Sequence, residues 1–407
     1  MRNTAATELD PIEQLLLKAS VTKVYGPDIA ALENLVSRIH DWEMFVSRAD
    51  SAHLSPLLSK SLAGLADGII PSIVLKRLTA SYHAVLLANV RMYSLFEELV
   101  HACEIAGIEV IPLKGIHLAE KVYGDIGLRH LSDIDILVRP SDMETIKETA
   151  SLLGWKVKEM HHHSTYFKTK FGSHHPFKLL KGNTVVELHV HVHGPGSEFA
   201  VNIDDYWHHA TSSRLSGCAI RQLEATDMLQ HLCLHLYKHL QAMELKMSSF
   251  CDIRELLRQQ TAMDWDVLMK RSCQYDIDRH VGAVLFLCRE FWGCDVPDAV
   301  LKHVPTSECE RCTTQFLTLF IRGRLRQDER GELALAQRLY ALKAAPNLKG
   351  KLRFIQGYVM PNRAYLEQCY GNGHSLLLLR ASHLWSLTAK TLRVVARRFT
   401  GWKAIIL

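Results

Sequence analysis

At 407 residues the chain has room for two to three domains of about 150 residues each. A hydrophobic fraction of 48% against 22% charged residues describes an ordinary globular protein whose core needs neither disulfides nor a structural metal. The formal charge of +5 permits weak attraction to phosphates but does not by itself signal a nucleic-acid binder, and no dense basic stripe stands out. Ten cysteines lie scattered among apolar neighbours, as reduced thiols of a cytosolic protein do, and Cys309-x-x-Cys312 has no second pair at zinc-ribbon spacing. The N-terminus lacks an apolar secretory core, and no apolar run approaches the roughly 20 residues a membrane span requires, so the expectation is a cytoplasmic protein without a transmembrane segment.

The first ninety residues carry apolar side chains at helical spacing (Ile12, Leu15, Leu16, Leu17; then Ile29, Leu32, Leu35, Ile39), with loops expected at residues 26–28 and 55–56. A longer helix over about residues 75–106 ends at Gly107. Residues 108–111 predict a short strand bounded by Pro112, and a helix opens at Lys114-Gly115 and runs through Tyr123. Residues 124–127 form a loop, and 133–138 alternate as a strand. Ser141 with Glu144 three residues on predicts a capping box at a helix start. A strand over 155–159, a histidine-rich segment over 161–175, a turn at 181–183 and a strand over 184–193 follow. From about residue 204 onward the pattern is helical to the C-terminus. The fold class is therefore α+β. A mixed-sheet unit at 85–205 stands between a helical N-terminal region at 1–84, a helical domain at 206–310 packing on the core and a helical C-terminal region at 311–407.

Side chains alternate between the two faces of a strand, so Asp133 and Asp135 project together about 7 Å apart while Ile134, Ile136 and Val138 face the core. Two adjacent carboxylates repel, and a divalent cation relieves that repulsion. The strand at 184–193 repeats the pattern: Val186, Leu188, Val190 and Val192 on one face, Glu187, His189, His191 and His193 on the other. If the two strands are neighbours, Glu187 completes a three-carboxylate cluster able to hold two Mg²⁺ ions for in-line displacement at phosphorus.

The stretch from Ile108 to Pro140 resembles the signature of a bacterial family of uncharacterised nucleotidyltransferases within the polymerase-beta-like superfamily. Leu113-Lys114-Gly115, Tyr123-Gly124-Asp125, Leu128-Arg129 and the run Ser132-Asp133-Ile134-Asp135-Ile136-Leu137-Val138 carry the resemblance; Val186-Glu187-Leu188-His189 and the later His235-Leu236-Tyr237-Lys238-His239 with Asp252 extend it. It implies a nucleotidyltransferase core binding a nucleoside triphosphate, expected to be ATP, with Mg²⁺ (or Mn²⁺ in its place). Asp133 and Asp135 would bind both metals, and Glu187 the one that activates the acceptor. The superfamily's usual Gly-Ser pair is here Lys114-Gly115, where a helix N-terminus and a lysine charge can still meet phosphates. Arg129 and Ser132 join the expected nucleotide site, Arg129 through a bidentate phosphate contact; its alternative is an ion pair with Asp133 or Asp125.

On a helix expected from Asp227 to Leu240, His231, His235, Lys238 and His239 share one face. Together with His189, residues His235, Lys238 and His239 are candidates for the acceptor side or for support of the metal ligands. Two rival functions remain open: a zinc hydrolase using His189 and His191, and a nucleotide-binding module without turnover. The acceptor cannot be read from the sequence. The C-terminal stretch mixes leucines with Arg380, Lys390, Arg393, Arg397 and Arg398; its apolar side is expected to pack on the domain, in preference to a membrane surface.

Overall fold

A computed structural model describes residues 9–159, 176–193, 199, 201–242, 244–260, 263–322, 342 and 348–403. The N-terminal helices are α1 (Pro11–Ala19), α2 (Gly26–Val36), α3 (Trp42–Ser51) and α4 (Ser55–Leu62), followed by the long α5 (Ser72–Ile105). The loops expected at 26–28 and 55–56 are instead first turns of α2 and α4, because Pro27 and Pro56 occupy positions where a missing N–H costs nothing. Next come β1 (Ile111–Leu113), α6 (Lys114–Lys121), β2 (Ile134–Leu137), α7 (Met143–Leu152), β3 (Lys156–Glu159), β4 (Phe177–Lys181) and β5 (Thr184–His189). Strand β1 lies later than the sequence suggested and includes Pro112. It is an end strand of the ladder, where a proline is tolerated. The capping box at Ser141 does not form: a 3₁₀ turn over Pro140–Asp142 leads into α7, and Ser141 donates to the Asp142 carboxylate. The histidines at 161–175 lie outside the described residues.

Helix α8 (Ile203–His209) precedes a hairpin of β6 (Thr211–Leu215) and β7 (Cys218–Gln222), which corrects the expectation of unbroken helix from residue 204. The chain then runs through α9 (Ala225–Gln241), α10 (Met247–Gln259), α11 (Trp265–Gln274), α12 (Asp278–Trp292), α13 (Asp298–Leu301) and α14 (Thr306–Arg322). It ends in α15 (Leu348–Val359), α16 (Arg363–Tyr370) and α17 (Leu376–Lys403). No helix among the described residues is long and apolar enough to cross a membrane.

The main sheet has the order β1-β2-β5-β4-β3, with β2 and β5 parallel and the other neighbours antiparallel. Ile134, Ile136, Val186, Leu188, Phe177 and Leu179 face a core shared with the second half of α5 and with α7. Leu113 and Leu137 face a second, larger core built by α1–α4 and α9–α14. The sheet thus separates two apolar layers. Helix α5 bridges them: Val74 and Leu78 pack in the larger core, Phe96 and Leu99 in the other. Between these halves the buried Asn89 amide donates to the carbonyl oxygens of Ile126 and Arg129, at 2.5 and 2.7 Å, and so holds the loop that enters β2.

Candidate active site

The parallel pairing of β2 with β5 sets Asp135 directly opposite Glu187. Residues in register on neighbouring strands point to the same face about 4.8 Å apart, so both carboxylates leave the sheet together. Ligand atoms of Asp135, Glu187 and His189 all lie within 4.8 Å of one another. His189 Nε2 is 2.8 Å from one Asp135 oxygen and 3.8 Å from Glu187. Asp133 stands one residue before β2, half-buried, and its carboxylate accepts from Ser132 Oγ at 2.9 Å.

Each buried carboxylate has a cation. Lys114 Nζ is 3.0 Å from Asp135, and Lys178, opposite Glu187 in the β4–β5 register, forms an ion pair with it. Burial works to raise the Asp135 pKa, but Lys114 and His189 hold it well below the ordinary carboxylate value. Asp133 moves the other way: burial and then the Asp135 charge raise its pKa. Three carboxylates crowded at one end of the cleft, one of them with its pKa raised, make a hard oxygen donor set of the kind a divalent cation takes. Lys114 reaches Asp135 because its own backbone turns sharply out of β1, with φ of +47°. A non-glycine residue pays about 1–2 kcal/mol for that conformation, and such outliers concentrate at working sites.

Arg129 lines the same cleft, but its bidentate face is taken. Its Nε and Nη2 donate to the two Asp252 oxygens at 3.0 and 2.8 Å, and Nη1 donates to the His130 carbonyl oxygen. This corrects the expected bidentate phosphate contact and also the alternative partners Asp133 and Asp125. The Tyr123 hydroxyl donates to the same Asp252 at 2.9 Å, so α10 is tied to the loop ahead of β2. Gly115 packs beneath: a Cβ there would stand 2.9 Å from Arg129 Nη1 and 2.9 Å from a Leu131 methyl.

Helix α9 forms the facing wall. Lys114 Nζ is 3.4 Å from His235 Nε2, His235 is 3.3 Å from His239 Nε2, and His239 pairs with Glu244. Burial and the Lys114 charge hold His235 well below its ordinary pKa, so it is a neutral neighbour of the lysine. Lys238 lines the mouth, while His231 lies one turn deeper and is 1% exposed. The cleft has a volume of about 350 Å³ and is lined by Lys114, Gly115, Ser132, Asp133, Asp135, Glu187, His189, His235, Lys238 and His239 among others. All the residues expected at the site except the bidentate arm of Arg129 therefore meet in one cleft.

Among the described residues His191 joins no group of metal-binding atoms, and its Nδ1 accepts from the His193 backbone N–H at 3.3 Å, so those residues give no support to a two-histidine hydrolase site. Contributors missed from the sequence include Lys178, the stacked pair His53 and His130 (rings 4.4 Å apart), and Lys246. Lys178 was legible in principle, since it alternates with the apolar Phe177 and Leu179.

No curated protein matches the chain. A solved structure of the antibiotic-resistance factor ANT(2'')-Ia is similar over 47% of this chain and 97% of its own, at 12% identity and a TM-score of 0.33, too low to carry an argument. Residues 39–293 match the sequence pattern of the uncharacterised nucleotidyltransferases, a span that includes every residue of the cleft. On that match, the chain belongs to the uncharacterised nucleotidyltransferase family.

Proposed function

We propose that the protein transfers a nucleoside monophosphate from a nucleoside triphosphate, ATP as the first candidate, to a hydroxyl or phosphate acceptor, releasing pyrophosphate. The observation that carries this reading is the in-register pairing of Asp135 with Glu187 at the base of a cleft walled by lysines. The donor set fits a hard divalent cation: three carboxylates, one with its pKa raised by burial and crowding, two others already balanced by ammonium groups. Asp133, Asp135 and Glu187 would hold two Mg²⁺ ions. Bound there, such ions supply charge neutralisation and Lewis acidity at the α-phosphate.

The chain's own groups do the rest. Lys114, whose ammonium stands 3.0 Å from Asp135 at the cleft, would be available to a phosphate oxygen if a metal held that carboxylate. The Gly115 backbone at the start of α6, together with Ser132, offers further donors to the phosphates. Arg129, fixed by Asp252, contributes by shaping the loop that carries Ser132 and Asp133. His189 holds Asp135 in its rotamer. We assign Glu187 to the acceptor side, with His235, Lys238 and His239 as the wall against which the acceptor lies. In-line attack of the acceptor oxygen forms the new P–O bond as the bond to pyrophosphate breaks; positioning and charge stabilisation supply most of the rate.

The test is to incubate the purified protein with each nucleoside triphosphate, Mg²⁺ and pools of candidate acceptors, with pyrophosphate release and product mass as readouts. A product heavier by one nucleoside monophosphate supports the reading. Nucleotide binding without pyrophosphate release across all pools would make the chain a binding module.

A further inference from the structure

Residues 348–403 form a helical unit with an interior of its own. Helices α15, α16 and α17 close around Phe354, Leu366, Leu379 and His383, all buried. His383 ties the three together: Nδ1 is 3.0 Å from the Tyr370 hydroxyl, and Nε2 is 2.9 Å from the Tyr358 carbonyl oxygen. The unit nevertheless keeps large apolar side chains outside. On α15, Leu348, Leu352, Ile355 and Val359 are exposed at i, i+4, i+7 and i+11, a single stripe along the helix. On α17, Leu377, Leu384 and Trp385 stand at i, i+7 and i+8, again on one side of the helix, with Leu377 78% and Trp385 77% exposed. The apolar residues of α17 are thus divided: Leu379 is buried, while Leu377 and Leu384 stand exposed.

The charge of the same segment is one-sided. Residues 348–403 contain ten lysines and arginines and one acidic residue, Glu367, a net +9 in a chain whose total is +5, so the remainder is net −4. On α15 the exposed cations Lys349, Lys351 and Arg353 stand between the stripe residues. A second copy of the chain would oppose +9 to +9. A nucleic acid would use the cations but leave the leucines and the tryptophan in water. One surface accepts both: apolar residues entering the acyl boundary, a tryptophan at headgroup level and cations against anionic headgroups.

We propose that the unit at residues 348–403 docks the protein on an anionic lipid surface, lying on the bilayer without crossing it. This inference stands apart from the nucleotidyl-transfer reading, since it uses no residue of the cleft.

The experiment is co-sedimentation of the full chain with phosphatidylcholine vesicles, with and without phosphatidylglycerol. Binding is expected with phosphatidylglycerol and to fall steeply with added salt. Each cation that reaches the surface strengthens partition about fivefold, so Lys349→Gln with Lys351→Gln is expected to weaken it about 25-fold. Leu352→Asp with Trp385→Asp removes it; these positions are exposed, so circular dichroism and thermal unfolding should match the wild type. Absence of binding to anionic vesicles overturns the proposal. So does equal binding to neutral vesicles, retention by both double variants, or capture of an oligonucleotide or a second copy through the same residues in place of lipid.

Discussion

Replacing Asp252 with asparagine removes the counter-charge of a nearly buried arginine while keeping the shape of the side chain. Asp252 is 1% exposed and Arg129 14% as side chains, and two charge-assisted hydrogen bonds join them. Removing one partner of such a pair leaves an uncompensated buried charge, at a cost of about 3–5 kcal/mol. At about 2–4 °C per kcal/mol for a domain of this size, the melting temperature of Asp252→Asn should fall by at least about 6 °C. The assay is differential scanning fluorimetry, paired with saturation kinetics for the triphosphate. The double replacement Arg129→Met with Asp252→Leu should recover much of the loss, leaving about 1–3 kcal/mol because the Tyr123 hydroxyl loses its acceptor. An unchanged melting temperature in Asp252→Asn, with a raised KM for the triphosphate in Arg129→Met, would refute the structural role and return Arg129 to direct phosphate binding.

Gly115→Ala forces a Cβ against Arg129, which cannot swing away while Asp252 holds it; a destabilisation of about 1–3 kcal/mol is expected by denaturant unfolding. His231 has both ring nitrogens without a hydrogen-bond partner among the described residues, and burial, then Lys114, push its pKa down to about 3. An unfolded histidine takes up a proton near pH 6.5 and this folded one does not, so stability falls as pH drops from about 6.5 towards about 3. His231→Leu should shrink the stability difference between pH 7 and pH 5 by about 2 kcal/mol in denaturant titrations at both pH values, and an unchanged difference would contradict the assignment. Lys114→Met should raise the KM for the triphosphate in pyrophosphate-release kinetics, because the phosphates lose an ammonium; an unaltered KM would remove Lys114 from the nucleotide site.

Much of the site follows from alternation. The period of two puts Asp135 and Glu187 on the polar faces of their strands, and the parallel β2–β5 pairing brings them together. Lys178 escaped notice because β4 lies behind the histidine-rich stretch, and without that strand no register placed a lysine opposite Glu187. The β6–β7 hairpin was hidden for a different reason: Thr-Ser-Ser-Arg-Leu has almost no apolar face, although Ser216-Gly217, both at positive φ, is a strong turn signal. The Arg129–Asp252 pair joins residues 123 positions apart, and local spacing carries no information about such a contact. For the C-terminal helices the periodicity was plain, but periodicity shows that a helix has an apolar face and not what covers it.

The central claim is that carboxylates from β2 and β5 share divalent cations. Its most direct test is titration of the purified protein with Mn²⁺, followed by electron paramagnetic resonance, for the wild type, Asp135→Asn and Glu187→Gln. Saturable binding that either variant weakens sharply is expected, with Mg²⁺-dependent pyrophosphate release reduced by at least about a thousandfold, the several kcal/mol a bound metal supplies. Undiminished Mn²⁺ binding in both variants would contradict it.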